Sequence, residues 1–101
     1  MISDVIKKGS YYQVLDQNNK KIKEAHESSV GEVVGFNSSY IICRKSSYYA
    51  TYDENFKKIK DTHESSIGEF RNTAGNTMNF LKSNYIRTYD VNFKKISERH
   101  I

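Results

Sequence analysis

The sequence predicts an all-β chain of three four-stranded antiparallel units, and three observations predict it. The first is an internal repeat. Leu15–Glu32 (LDQNNKKIKEAHESSVGE) returns as Tyr52–Glu69 (YDENFKKIKDTHESSIGE) and, shortened, as Tyr89–His100 (YDVNFKKISERH). Asp16, Asp53 and Asp90 stand 37 residues apart, as do Ile22, Ile59 and Ile96, and His26, His63 and His100. A fixed period of this size marks stacked supersecondary units. The second observation is composition. Eight Tyr and five Phe, with Ile, Val and Thr and no Pro, suit pleated, half-buried strands. The third is spacing. Apolar residues do not recur at three and four, and Ser, Asn, Asp and Gly cut the chain into runs of about five or six.

With 101 residues the chain makes one domain, residues 1–101, with units at about 1–29, 30–66 and 67–101. A core this small favours association with a second copy. The net charge of +4 is spread rather than massed. It serves solubility and only permits a polyanion partner. Cys43 is the only cysteine, so no intrachain disulfide forms and a reducing, cytoplasmic setting is expected. Met1-Ile-Ser-Asp opens without a basic, then apolar, leader. Apolar runs reach only about four residues, against the ~20 of a membrane helix, so no membrane partner is expected.

Residues 1–14 read as the tail of a unit. Lys8-Gly-Ser-Tyr-Tyr12 aligns with Lys45-Ser-Ser-Tyr-Tyr49 and Lys82-Ser-Asn-Tyr-Ile86. The second unit shows the strands most plainly. Glu32–Phe36 is the first, Tyr40–Lys45 the second, Tyr48–Asp53 the third and Lys57–His63 the fourth. Asp53 is placed to accept backbone hydrogen bonds in the last hairpin, and Asn55 to take the left-handed conformation there. Ile41 and Cys43 point one way and Tyr40 and Ile42 the other, so both faces of this sheet are covered. The fourth strand sets Ile59 among Lys57, Lys58 and Lys60, the pattern of a protected edge. Counting along the chain gives three, four and four strands, eleven in all.

Meanders of this period, sandwiched face to face, resemble the blades of a β-propeller. The pattern Tyr-x-x-Tyr-Asp-x-Asn-Phe-Lys-Lys-Ile, Tyr49 to Ile59, is similar to the hairpin between the third and fourth strands of a blade. Tyr-Asp stands where the Trp-Asp-repeat propellers carry Trp-Asp. The resemblance implies a ring of four to eight blades. Three blades do not close one, so a six-bladed ring completed by a homodimer is the expected assembly. The alternative is a β-trefoil or other threefold barrel, which closes as a monomer.

No catalytic or metal constellation stands out. His26, His63 and His100 would converge on a metal only in a threefold barrel. Otherwise His-Glu-Ser-Ser reads as the turn between units, its ring and hydroxyls bonded to backbone. Ser28, Ser29, Ser65 and Ser66 lack the spacing of a nucleophile with an oriented base. Cys43 reads as a small core residue. No cofactor and no enzymatic activity are expected.

Two binding surfaces are candidates. Units two and three differ most in the first strand, Val33-Val-Gly-Phe36 against Phe70-Arg-Asn-Thr73. That points to Arg71, Asn72, Thr73 and Asn76 as ligand-binding residues, with Tyr12 and Tyr49 as stacking platforms. The repeated pairs Lys20-Lys21, Lys57-Lys58 and Lys94-Lys95 form a basic band for nucleic acid or another polyanion. The function expected is binding or scaffolding as a homo-oligomer, with a small molecule, a protein or a polyanion as ligand.

Overall fold

A computed structural model describes residues 1–101. Sheet 1 holds β1 (Asp4–Lys8), β2 (Tyr11–Leu15) and β3 (Lys21–His26). Sheet 2 holds β4 (Glu32–Phe36), β5 (Ile41–Lys45), β6 (Tyr48–Tyr52) and β7 (Lys58–His63). Sheet 3 holds β8 (Glu69–Ala74), β9 (Thr77–Lys82), β10 (Tyr85–Tyr89) and β11 (Lys95–His100). Each is an antiparallel meander whose neighbours in sequence are neighbours in space. Single helical turns, α1 (Glu27–Val30) and α2 (Glu64–Ile67), lead from one sheet to the next. The expected strands are present, trimmed by a residue at Tyr40, Asp53 and Lys57.

The three sheets stack over extents of 41 × 26 × 19 Å and form no closed barrel. Sheet 2 is covered on both sides. Ile41 and Cys43 join Ile2, Tyr12, Val14 and Val30 in one core cluster. Tyr40, Ile42 and Tyr49 join Ile67, Met78, Phe80 and Tyr89 in the other. Alternation along a strand produces this split, because successive side chains leave opposite faces. Phe80 is fully buried and edge-on to Tyr49, Phe70, Tyr89 and Phe93, with ring centroids 5.1–6.3 Å apart. The first strands β4 and β8 run beside each other. There a Cβ on Gly35 would lie 2.8 Å from the Phe70 ring, so only glycine allows the two strands this approach. No helix is long and apolar enough to cross a membrane.

The hairpin after each third strand has one construction. Asp53 Oδ1 accepts the N–H of Asn55 at 2.8 Å and of Lys57 at 2.9 Å. Asp16 and Asp90 do the same for Asn18 and Lys20, and for Asn92 and Lys94. The left-handed residue is not Asn55, as the sequence suggested, but the next one. Asn19, Phe56 and Phe93 have φ of 56–62°. The Asp carboxylate takes up the Asn55 amide in an ordinary turn conformation, and the reversal falls one residue later.

Candidate functional site

The two seams between sheets are where side chains of different units meet, and both hold recesses of the same make. One, of about 480 Å³, is lined by Lys7, Tyr12, His26, Glu27, Ser28, Gly31 and Glu32. The other, of about 260 Å³, is lined by Arg44, Tyr49, Glu64, Gly68 and Glu69. Lys7 and Arg44 are one period apart, as are Tyr12 and Tyr49, Glu27 and Glu64, Gly31 and Gly68, and Glu32 and Glu69.

Each recess is built around a sheet-to-sheet joint. His26 Nδ1 accepts the Ser28 N–H at 3.1 Å and so caps α1; His63 does the same for Ser65 and α2. Tyr11 and Tyr48 sit edge-on to these imidazoles, with centroids 5.0 and 5.1 Å away. Gly31 and Gly68 end the turns at φ of 84° and 93° with ψ near −150°, a region only glycine adopts readily. Across the seam Lys7 Nζ pairs with Glu27 at 2.7 Å, and Arg44 pairs with Glu64. The Glu27 carboxylate bonds and charges Lys7, lifting that ammonium above its ordinary value and lowering its own carboxyl.

The third copy of the joint is different. Leu81 stands one period after Arg44, Ile86 after Tyr49, and Ile101 after Glu64. The ion pair of the first two joints is replaced by two apolar residues at once. Sequence comparison of the copies could have found this signal, because it needs only the alignment at 37 residues.

The structure places the ligand candidates in varied settings. Tyr12 and Tyr49 are buried, and the Tyr49 hydroxyl accepts the Phe70 N–H at 3.1 Å. Thr73 donates to the Phe36 carbonyl at 3.2 Å. The Asn76 carbonyl accepts from the Tyr40 hydroxyl at 2.8 Å, and its side chain meets Ser39. Tyr49, Thr73 and Asn76 tie sheet 2 to sheet 3, while Tyr12 packs between sheets 1 and 2. Asn72 Oδ1 accepts from Asn79 Nδ2, whose Oδ1 in turn accepts from Thr88. The latter three form a polar ladder on the outer face of sheet 3, while Arg71 is exposed at a bulge in β8.

The lysine band is half neutralised. Lys21, Lys58 and Lys95 pair with Glu24, Asp61 and Glu98 three residues on, at 2.6–3.2 Å. The side chains of Lys20, Lys57 and Lys94 are exposed and make no ion pair.

The histidines lie on three different sheets, and no group of three metal-ligating side chains comes together. Ser28 Oγ is 2.7 Å from His26 Nδ1. That nitrogen already accepts the serine amide, and no carboxylate orients the far side of the ring, so the contact is a cap. Cys43 is buried mid-strand, and desolvation pushes its thiol up to about 12. Comparisons with family models, curated proteins and solved structures return no match.

Proposed function

We propose that this chain is a non-catalytic binding and assembly module whose end sheets dock on a second copy, closing a propeller-like ring. The observation that carries the reading is the pattern of covered and uncovered positions along the period. Cys43 and Phe80 are buried against the preceding sheet, whereas Ile6, at the equivalent position in sheet 1, is 37% exposed. Ile22 packs against the cluster between sheets 1 and 2, Ile59 in sheet 2 is 39% exposed, and Ile96 in sheet 3 is 58% exposed. Sheet 3 also carries the half-buried Leu81 where the internal seam carries Arg44. An ion pair serves a seam made within one chain. Apolar residues serve a seam made between chains, because their burial supplies association energy without unpaired charge.

Two arcs facing each other give two such seams related by a two-fold axis. The ring presents the variable residues Arg71 and Asn72 near β8 for a ligand, and a reducing compartment suits the unpaired Cys43. Light scattering on a size-exclusion column tests the assembly. A mass of about twice 11.8 kDa supports it, and a monomer at all concentrations rejects the ring.

A second reading rests on the unpaired Lys20, Lys57 and Lys94, one per sheet. They form a sparse basic edge for nucleic acid or another polyanion. Retention on immobilised nucleic acid that falls steeply with salt would favour it.

A further inference from the structure

The recess between sheets 1 and 2 holds more unused chemistry than its twin between sheets 2 and 3. In both, the cation is already taken: Lys7 pairs with Glu27, and Arg44 with Glu64. The other carboxylate of each, Glu32 and Glu69, has no ion pair. The walls of the first recess thus carry two negative charges and one positive, on a chain whose net charge is +4. Its volume, about 480 Å³, lies within the range of small-molecule sites, roughly 300–1,000 Å³, and the 260 Å³ of the second lies below it.

Two further oxygens are open in the first recess alone. Tyr49 reaches from β6 to the floor of the second recess, where its hydroxyl accepts the amide next to Glu69. Tyr12 stands one period earlier and is only 8% exposed, yet its hydroxyl takes neither the matching Val33 amide nor any other partner. Nor is that oxygen sealed away, since the only buried side-chain atoms without a partner are Asn37 Nδ2 and Arg87 Nε. It opens into the recess that Tyr12 and Glu32 both wall. The second oxygen is Ser28 Oγ, 2.7 Å from His26 Nδ1. That nitrogen is an acceptor, because it takes the Ser28 amide, so the hydroxyl hydrogen turns to the ring and the lone pairs stay free. Ser65, the counterpart, is not a wall of the second recess.

We propose that the recess between sheets 1 and 2 is a site for a small primary amine, bound as its ammonium ion. An ammonium carries three N–H donors and no acceptor. The recess offers three unfilled acceptors, the Glu32 carboxylate, the Tyr12 hydroxyl and Ser28 Oγ, together with one uncompensated negative charge. The Lys7–Glu27 pair keeps the other carboxylate occupied, so one ammonium saturates the site. Tyr12 supplies selectivity, because its buried oxygen gains a partner from a ligand that donates and none from a bare charge. No three metal-ligating side chains come together, so the match is an organic cation and not a metal ion. The inference goes beyond the assembly reading. Every wall belongs to one chain, and the site stands with or without a ring.

The probe is n-butylammonium chloride, titrated into the isotope-labelled full chain at an ionic strength held constant with potassium chloride, and read by amide chemical shifts. The amides of Ser28, Gly31 and Glu32 should move along one saturating curve in the millimolar range, while those of Ser65, Gly68 and Glu69 stay nearly still. Butyltrimethylammonium has the same charge and no N–H, and should bind about tenfold more weakly. Glu32→Gln should weaken the amine about tenfold and Tyr12→Phe severalfold, whereas Glu69→Gln should leave its affinity unchanged. Should Tyr12→Phe unfold, the two ammonium ions on the natural chain decide. Equal binding of those ions, equal shifts around Glu69, or no saturation overturns the proposal. The light-scattering mass of the same samples keeps the two readings apart: a monomer that binds the amine rejects the ring alone, and a dimer that does not bind it rejects the site alone.

Discussion

Gly68→Ala tests the joint between sheets 2 and 3. An added Cβ would overlap the Leu81 carbonyl oxygen and lie 2.8 Å from Lys82 Cβ. The oxygen belongs to the backbone of β9, so it does not swing away as a side chain would. The φ of 93° adds the strain of a region that L-residues avoid, of order 1–3 kcal/mol. Strain and overlap together should cost about 3 kcal/mol or more. Gly75→Ala is the control. It too has positive φ, 60°, but nothing lies within 4 Å of its added Cβ. It should cost only the left-handed penalty, about 1 kcal/mol. For a urea slope of roughly 1.5 kcal/mol/M, the two midpoints fall by about 2 M and about 0.7 M. Both are measured at one protein concentration, since association shifts apparent stability. Equal losses in the two variants would refute the idea that the close joint, rather than glycine's backbone freedom, fixes Gly68.

Other perturbations separate packing, assembly and charge. Phe80→Ala should cost roughly 3–5 kcal/mol, because Phe80 is fully buried among four aromatic rings. A midpoint unchanged in urea would remove it from the core. If the proposed ring forms, Leu81→Arg should leave the fold intact and reduce the light-scattering mass to that of a monomer; a dimer that persists in this variant would refute Leu81 as its interface. Acid should destabilise the chain. Asp16 is held below its ordinary 3.8 by the amides of Lys20 and Asn18, and Glu24 below 4.5 by Lys21 and Gln13. Folded values below unfolded ones give stability that is present above about pH 4.5 and lost as pH falls through the folded values. Asp16→Asn should flatten that fall, as read by urea midpoints from pH 2 to 7. Cys43 should resist thiol reagents until the chain unfolds, since both burial and its raised value suppress the thiolate. Rapid labelling of the native chain would contradict its position.

Strand existence was legible because it rests on local signals: Asp-x-Asn turns, alternating apolar residues and the lysines beside Ile59. The two faces of β5 were legible too, because alternation alone assigns Ile41 and Cys43 to one side and Tyr40 and Ile42 to the other. The helical turns were not. Glu-Ser-Ser carries no helical periodicity in four residues, and α1 forms because His26 caps it and Gly31 ends it. The roles of Thr73 and Asn76 were hidden for another reason. Their partners, Phe36 and Tyr40, belong to a neighbouring sheet, and contacts between sheets leave no trace in spacing along one strand.

The capped turn ending in glycine has a consequence for how the sheets are set. The angle between one sheet and the next is fixed inside the chain by a short rigid elbow, not by the surfaces that finally meet. The same elbow is used twice, so any error in it is added twice between the first sheet and the last. The relative setting of the sheets is thus written into the joint. A substitution that opened each elbow by a few degrees would leave every sheet folded, yet the seams between sheets would no longer close.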